Sequence, residues 1–83
     1  MELGDIENAA CSLEGVEKAC AFVVSEKLIL YIQAQETPNK RKFNLELRKY
    51  IPKYMLPSEI VAVREFPLNK NGKIDRKKLL GKY

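Results

Sequence analysis

The sequence predicts an α+β fold: a small, mostly antiparallel three-stranded sheet flanked by helices, in the order α-β-β-α-β-loop-α. Three observations point there. Apolar residues recur at helical spacing near the start of the chain and again around residues 44–51. Two apolar runs, 19–24 and 28–34, are parted only by the polar stretch Ser25-Glu26-Lys27, as in a hairpin. A third run, 59–65, is fenced by Pro57 and Pro67. No internal repeat or low-complexity tract interrupts the chain, so residues 1–83 read as one domain.

Each element has a local cause. Leu3, Ile6, Ala10 and Leu13 sit three or four residues apart, which predicts an amphipathic helix over 4–14. Gly15, just past its end, suits a left-handed cap. Residues 19–24 are apolar at every position, as expected of a central strand covered on both faces. After the turn at 25–27, residues 28–34 return as its partner. Thr37-Pro38-Asn39-Lys40 reads as a loop. Asn44 is the expected N-cap of a second helix with Leu47, Tyr50 and Ile51 on its buried stripe. Pro52 should end that helix, because it lacks an amide donor and disfavours helical geometry at Ile51. Residues 59–65 read as the third strand. Asp75 can cap a last short helix carrying Leu79 and Leu80.

Size and composition bound the function. Eighty-three residues, 46% apolar and 31% charged, make an ordinary globular composition. A chain this short buries only about 60–65% of its unfolded surface, too little for most complete enzymes with a cleft of their own. No apolar run approaches the ~20 residues needed to span a bilayer, and no secretory pattern opens the chain. The expectation is a soluble, cytoplasmic protein without a membrane partner. Histidine is missing altogether, which excludes His-based triads and general bases. Cys11 and Cys20 are the only thiols and read as reduced and partly buried. With so few ligands no metal site is expected.

Charge is unevenly spread. Residues 1–36 hold two lysines against seven acids, a net of −5, whereas residues 37–83 hold thirteen Lys and Arg against four acids, a net of +9. A basic half of this size suits a phosphate-bearing partner, although a solvated basic face would look the same.

The most informative segment is Pro67-Leu68-Asn69-Lys70-Asn71-Gly72-Lys73-Ile74-Asp75-Arg76. It is not a phosphate-binding P-loop, because Pro67 stands where that motif needs glycine and Ile74 where it needs Ser or Thr. It can be a plain Asn-Gly turn with Lys73 pointing into water. Composition alone favours that plain turn, because Asn-Gly turns are common. The other reading is that the turn presents the Lys73 ammonium at a loop tip, able to enter a partner's cleft. An ammonium on a flexible stem is a point charge suited to phosphate and carboxylate oxygens.

Three ordered motifs then carry a resemblance. Asn71-Gly72-Lys73-Ile74-Asp75-Arg76-Lys77-Lys78-Leu79 resembles the last core motif of the adenylate-forming enzymes, which include acyl-CoA synthetases, peptide-synthetase adenylation domains and luciferases. Residues 47–57, Leu-Arg-Lys-Tyr-Ile-Pro-Lys-Tyr-Met-Leu-Pro, are similar to that family's Leu-Pro-x-Tyr-Met-(Val/Ile)-Pro segment, with Ile51 in place of Leu. Glu2-Leu3-Gly4-Asp5-Ile6-Glu7 resembles the end of its hinge motif, which makes Gly4 hinge-proximal. The wording around Lys73 is closer to amino-acid adenylation domains and D-alanine–carrier ligases than to acetyl-CoA synthetases.

The resemblance implies a C-terminal subdomain, the mobile lid of a larger ligase. Such enzymes join a carboxylic acid to ATP, giving an acyl-adenylate and pyrophosphate. The lid then turns, and a phosphopantetheine thiol, on a carrier protein or coenzyme A, takes the acyl group. Lys73 matches the catalytic lysine of that scheme. Asn71, Gly72, Asp75 and Arg76 shape and position its loop. Lys70 can add charge near the phosphates or face solvent, and Tyr54 and Met55 are expected to pack. The phosphate loop, acyl pocket and hinge aspartate that precede this region in the family are not in the chain. Met1 can therefore mark either a trimmed start or the start of a standalone lid, ATP and magnesium should sit mainly on a large N-terminal subdomain acting in cis or in trans, and the isolated chain should be inactive. Two other readings are a basic nucleic-acid-binding module on residues 37–83 and a non-catalytic carrier-docking domain. The first lacks a helix-turn-helix, a zinc signature and interleaved aromatics, so no nucleic-acid partner is expected. The second leaves Lys73 unexplained.

Overall fold

Alternation along two strands builds this fold. In the computed structural model, which describes residues 3–82, Lys18–Val24 (β1) pairs antiparallel with Lys27–Gln33 (β2) over seven residue pairs, from Lys18↔Gln33 to Val24↔Lys27. Successive side chains therefore leave on opposite faces. Ala19, Ala21, Leu28, Leu30 and Ile32 fall into one buried cluster, and Cys20 and Tyr31 into a second, with Phe22 and Ile29 against it. The hairpin turns through Ser25 and Glu26, both at positive φ (51° and 64°), as a two-residue hairpin loop between right-twisted strands requires.

Leu3–Cys11 (α1) and Lys40–Leu47 (α2) supply Ile6, Ala9, Ala10, Phe43 and Leu47 to the first cluster. Phe66 and Leu79 complete the second, the latter from Arg76–Lys82 (α3). The sheet thus has a helical layer of α1 and α2 on one face. On the other lie α3 and the segment leading into it. Glu59–Val63 (β3) pairs with β2 over Ile29↔Glu59 to Gln33↔Val63, so the strand order is β1-β2-β3.

The expected α+β class and helix-strand-strand-helix-strand-helix order are observed. The sheet is mixed, however, because β3 runs parallel to β2 over five pairs while β1 and β2 are antiparallel over seven. The connection through α2 carries the chain back to the starting end of β2, which allows a parallel pairing. The middle strand is also β2, where residues 19–24 had been expected at the centre. β1 is an edge strand, and its last residues Val23 and Val24 are exposed.

The second helix begins earlier than expected. Its N-cap is Asn39, in an extended conformation, whose Oδ1 accepts from the Lys42 amide at 3.1 Å and whose carbonyl accepts from Phe43 at 2.9 Å. Starting at Lys40 puts Phe43 and Leu47 on one face, four residues apart, where both are buried. A start at Asn44 would leave Phe43 outside the helix. Asn44 instead lies mid-helix with its Oδ1 buried and unpartnered among the described residues. Of the rest of the expected stripe, Tyr50 is exposed and Ile51 is buried only after the helix has given way to turns. Those turns end at Pro52, and a 3₁₀ turn follows at Lys53–Met55. Met55 packs in the core while Tyr54 is exposed. α1 likewise closes at Cys11, sooner than residue 14, and Gly15 follows at φ 86°. Among the described residues no helix is long and apolar enough to cross a membrane.

Candidate functional site

The segment between β3 and α3 folds back on itself. Leu68 and Ile74 form an isolated antiparallel bridge, and the Asp75 amide donates to the Pro67 carbonyl at 2.8 Å. Between them, Asn69 closes the loop three ways. Its amide donates to the Lys73 carbonyl at 2.7 Å and its carbonyl accepts from Gly72 at 3.0 Å. Its side-chain Oδ1 accepts from the amides of Asn71, at 2.9 Å, and Lys73, at 3.1 Å. Gly72 sits at φ 79°, a left-handed conformation that side chains rarely adopt.

Lys73 is exposed at the end of this bend. The salt bridges among the described residues join Lys49 to Glu46 and Arg76 to Glu7, so no carboxylate there claims the Lys73 ammonium. A shallow open groove of about 510 Å³ lies beside the loop, with Lys18, Lys73 and Arg76 in its wall. Lys18 and Lys73 give this depression positive charge that favours an anion, while the Arg76 charge is offset by its pairing with Glu7.

Asp75 caps α3: its Oδ1 accepts from the Lys78 amide at 3.0 Å and its carbonyl from Leu79 at 3.0 Å. Arg76, the first residue of that helix, turns back toward the sheet. Its guanidinium forks onto Glu7 of α1, Nη1 to Oε2 at 3.1 Å and Nη2 to Oε1 at 3.3 Å, and Nη1 also lies 3.0 Å from the Cys20 sulfur. Glu7 Oε2 further accepts from the Ala21 amide of β1 at 2.7 Å. One carboxylate thereby ties together α1, β1 and the start of α3. Its hydrogen bonds hold Arg76 still more firmly protonated than usual, against a smaller opposing effect of burial. On the β3 side, the buried Gln33 of β2 accepts from the Phe66 amide at 2.7 Å and donates to Glu17 at 2.8 Å.

Of the residues singled out from the sequence, Asn71, Gly72, Lys73, Asp75 and Arg76 are gathered in this loop and its junction with α3. Asn71 is exposed and contributes its amide, whereas the acceptor at the loop's centre is Asn69. Sequence reasoning missed Asn69, although an Asn two residues before another amide in a polar turn is an Asx-turn signal. It also missed Glu7, whose partner is distant in sequence. Gly4 is elsewhere, exposed in the first turn of α1 with open space where a Cβ would stand. Glu2 of the hinge-like motif and Met1 lie outside the described residues. Lys70 is exposed on the loop. Among the described residues no group of three or more His, Cys, Asp or Glu could hold a metal ion.

Both thiols are held less acidic than usual. Burial pushes Cys20 up from the usual 9.0 to about 11, with Arg76 opposing and Glu7 reinforcing the rise. Burial, and then Glu7, also raise Cys11. Between pH 9.0 and about 11 the folded protein keeps a proton on Cys20 that the unfolded chain has released. The contribution of Cys20 to stability therefore falls as pH rises through that window. Urea unfolding of the protein and of Cys20→Ala should show a shallower alkaline decline in the variant. Parallel declines would mean that the buried thiol titrates as it does in the unfolded chain.

Comparison with known proteins places this geometry in a family. Residues 5–73 match the family model described as the AMP-binding enzyme C-terminal domain. The chain is 39% identical to the AMB antimetabolite synthetase AmbB of Pseudomonas aeruginosa over 95% of its own length, but spans only 7% of that protein. It is 35% identical over 99% of its length to the D-alanine–D-alanyl carrier protein ligase of Lactococcus lactis, and spans 19% of it. Among solved structures, a four-domain holo nonribosomal peptide synthetase bound to AMP and glycine superposes with a TM-score of 0.74 and 32% identity, over 93% of this chain and 6% of that one. With the family model covering most of the chain, and relatives of this identity along nearly its whole length, this protein belongs to the C-terminal domains of the AMP-binding, adenylate-forming enzymes.

Proposed function

We propose that residues 1–83 act as the mobile lid of an ATP-dependent ligase and deliver Lys73 to the site where a carboxylic acid, in this reading an amino acid, is activated as an acyl-adenylate. The observation that carries the reading is an ammonium, without a salt-bridge partner among the described residues, at the tip of a loop closed by Asn69 and tied to the body of the domain. Attack of a carboxylate oxygen on the α-phosphorus of ATP forms an O–P bond and expels pyrophosphate. It brings one anion against another, so a positioned cation lowers the barrier by offsetting the charge gathered in the transition state. Lys73 would lie between the carboxylate and the nucleotide, and Asn71, Gly72, Asp75 and Arg76 would set its loop. ATP and its magnesium would rest mainly on a large N-terminal subdomain, in cis or in trans.

The lid would next turn, withdrawing Lys73 and admitting a phosphopantetheine thiol. The relatives favour amino acids and a carrier protein: one is a D-alanyl carrier protein ligase and one structure holds glycine and AMP. Coenzyme A remains the other acceptor of the same chemistry. The test is complementation. Added to a large adenylation subdomain that lacks its own C-terminal domain, the chain should restore carboxylate-dependent pyrophosphate exchange into ATP. No exchange from a folded, associated pair would overturn the reading.

A further inference from the structure

We infer that Glu7 is a positioning residue for the adenylation step, aiming the Lys73 loop from the far side of the domain through Arg76; this rests on the role proposed above for Lys73. The loop is closed internally by Asn69, so it behaves as one piece, and its aim depends on what holds its two ends. The end nearest β3 is fixed to the central strand through Phe66 and Gln33. The other end leaves through Asp75 into α3, where the tie to α1 is the two-pronged contact of Arg76 with Glu7. Arg76 lies three residues after Lys73, so little slack separates brace and ammonium.

The two sides of this contact are unequal. Glu7's side chain is 16% exposed and that of Arg76 is 51% exposed. Glu7 is itself seated by the Ala21 amide, a backbone group of β1. The carboxylate is therefore the fixed member and the guanidinium the adjustable one. A planar, two-pronged contact fixes direction as well as distance, which a single point charge does not. With Arg76 half-exposed, water screens the attraction and the pair adds only modestly to stability. Geometry is where this one should matter, because a displacement of about 1 Å at a reacting centre can cost about 100-fold in rate.

The adenylation and thioester steps separate aim from folding. In the proposed scheme only adenylation uses the Lys73 loop, so a brace for that loop should affect one step and spare the other. Glu7→Gln keeps an oxygen for the Ala21 amide while removing the charge that holds Arg76. Arg76→Gln removes the other half, and Arg76→Lys keeps charge without the fork. Each change is made in the domain joined to its large subdomain. Adenylation is read by pyrophosphate exchange with whichever proteinogenic amino acid the unaltered enzyme exchanges fastest. Thioester formation is read by chasing purified enzyme-bound acyl-adenylate with the phosphopantetheine acceptor.

We expect kcat for exchange to fall about tenfold or more in Glu7→Gln and in Arg76→Gln, with KM for ATP little changed. Thioester formation should stay within about twofold, and Arg76→Lys should recover part of the loss. The double variant Glu7→Gln/Arg76→Gln should be no worse than the worse single one, since both break the same contact. Normal exchange in the Glu7 and Arg76 variants, alongside its loss in Lys73→Ala, would overturn the inference and leave the role of Lys73 standing. An equal fall in both steps would also overturn it, reducing Glu7 to a support of the fold. Normal exchange in Lys73→Ala would instead remove the reading on which it rests.

Discussion

Replacement of Lys73 by Ala should slow acyl-adenylate formation by about 10²–10³-fold, the usual cost of deleting one preorganised electrostatic group, or roughly 3–4 kcal/mol of transition-state stabilisation. The measurement is single-turnover formation of the adenylate in the complete enzyme, followed by release of pyrophosphate. Stability should hardly change, because Lys73 is exposed and has no salt-bridge partner among the described residues. Surface substitutions of that kind usually stay within about 0.5 kcal/mol. A large kinetic loss on an intact fold is therefore the signature of an amine that works outside its own domain. Lys73→Arg keeps the charge but replaces a compact ammonium with a wider planar group, so it should recover only part of the rate. Undiminished adenylation in Lys73→Ala would leave the Asn-Gly bend as a turn and nothing more.

How much of this was legible beforehand depended on how local each cause is. The two apolar runs 19–24 and 28–34, parted by a short polar stretch, depend on neighbours alone, and the hairpin follows them closely. Gly72 and its positive φ belong to the same class. The direction of β3 was less accessible, since it depends on where the connection through α2 delivers the chain. The choice between Asn39 and Asn44 as cap was decided by tertiary burial. Both can cap a helix, but only a start at Lys40 turns Phe43 and Leu47 together toward the sheet.

The candidate site divides in the same way. Lys73, Asn71, Gly72, Asp75 and Arg76 lie within one short stretch and could be read from it. Asn69 is readable in principle from its turn, although the Asn-Gly pair two residues on gives the stronger turn signal. Glu7 lies 69 residues from its partner Arg76, and nothing in the spacing of either residue announces the other.

The largest effect on stability should come from Phe66→Ala. Phe66 is 2% exposed, at the exit of β3, where it packs with Cys20, Tyr31, Val63 and Leu79 beneath the lysine loop. This cluster is the smaller of the two and holds five buried residues, so little else can collapse into the space left behind. Truncating a buried Phe costs about 3–5 kcal/mol, more where the site relaxes poorly. At about 0.05–0.15 kcal/mol per residue, a chain of 83 residues has only about 4–12 kcal/mol in total. Phe66→Ala should therefore remove a quarter of the stability at the least and could leave the domain unfolded. Tyr54→Ala is the matching control, an aromatic residue 76% exposed, whose loss should cost no more than about 0.5 kcal/mol. Urea unfolding of the two variants against the parent decides the matter, with a drop in midpoint expected for Phe66→Ala alone. Equal midpoints would mean that the face of the sheet under the loop is not packed as described. The platform from which Lys73 is presented would then have no firm footing, because the same cluster that buries Phe66 and Leu79 also seats Ile74, the residue next to that lysine.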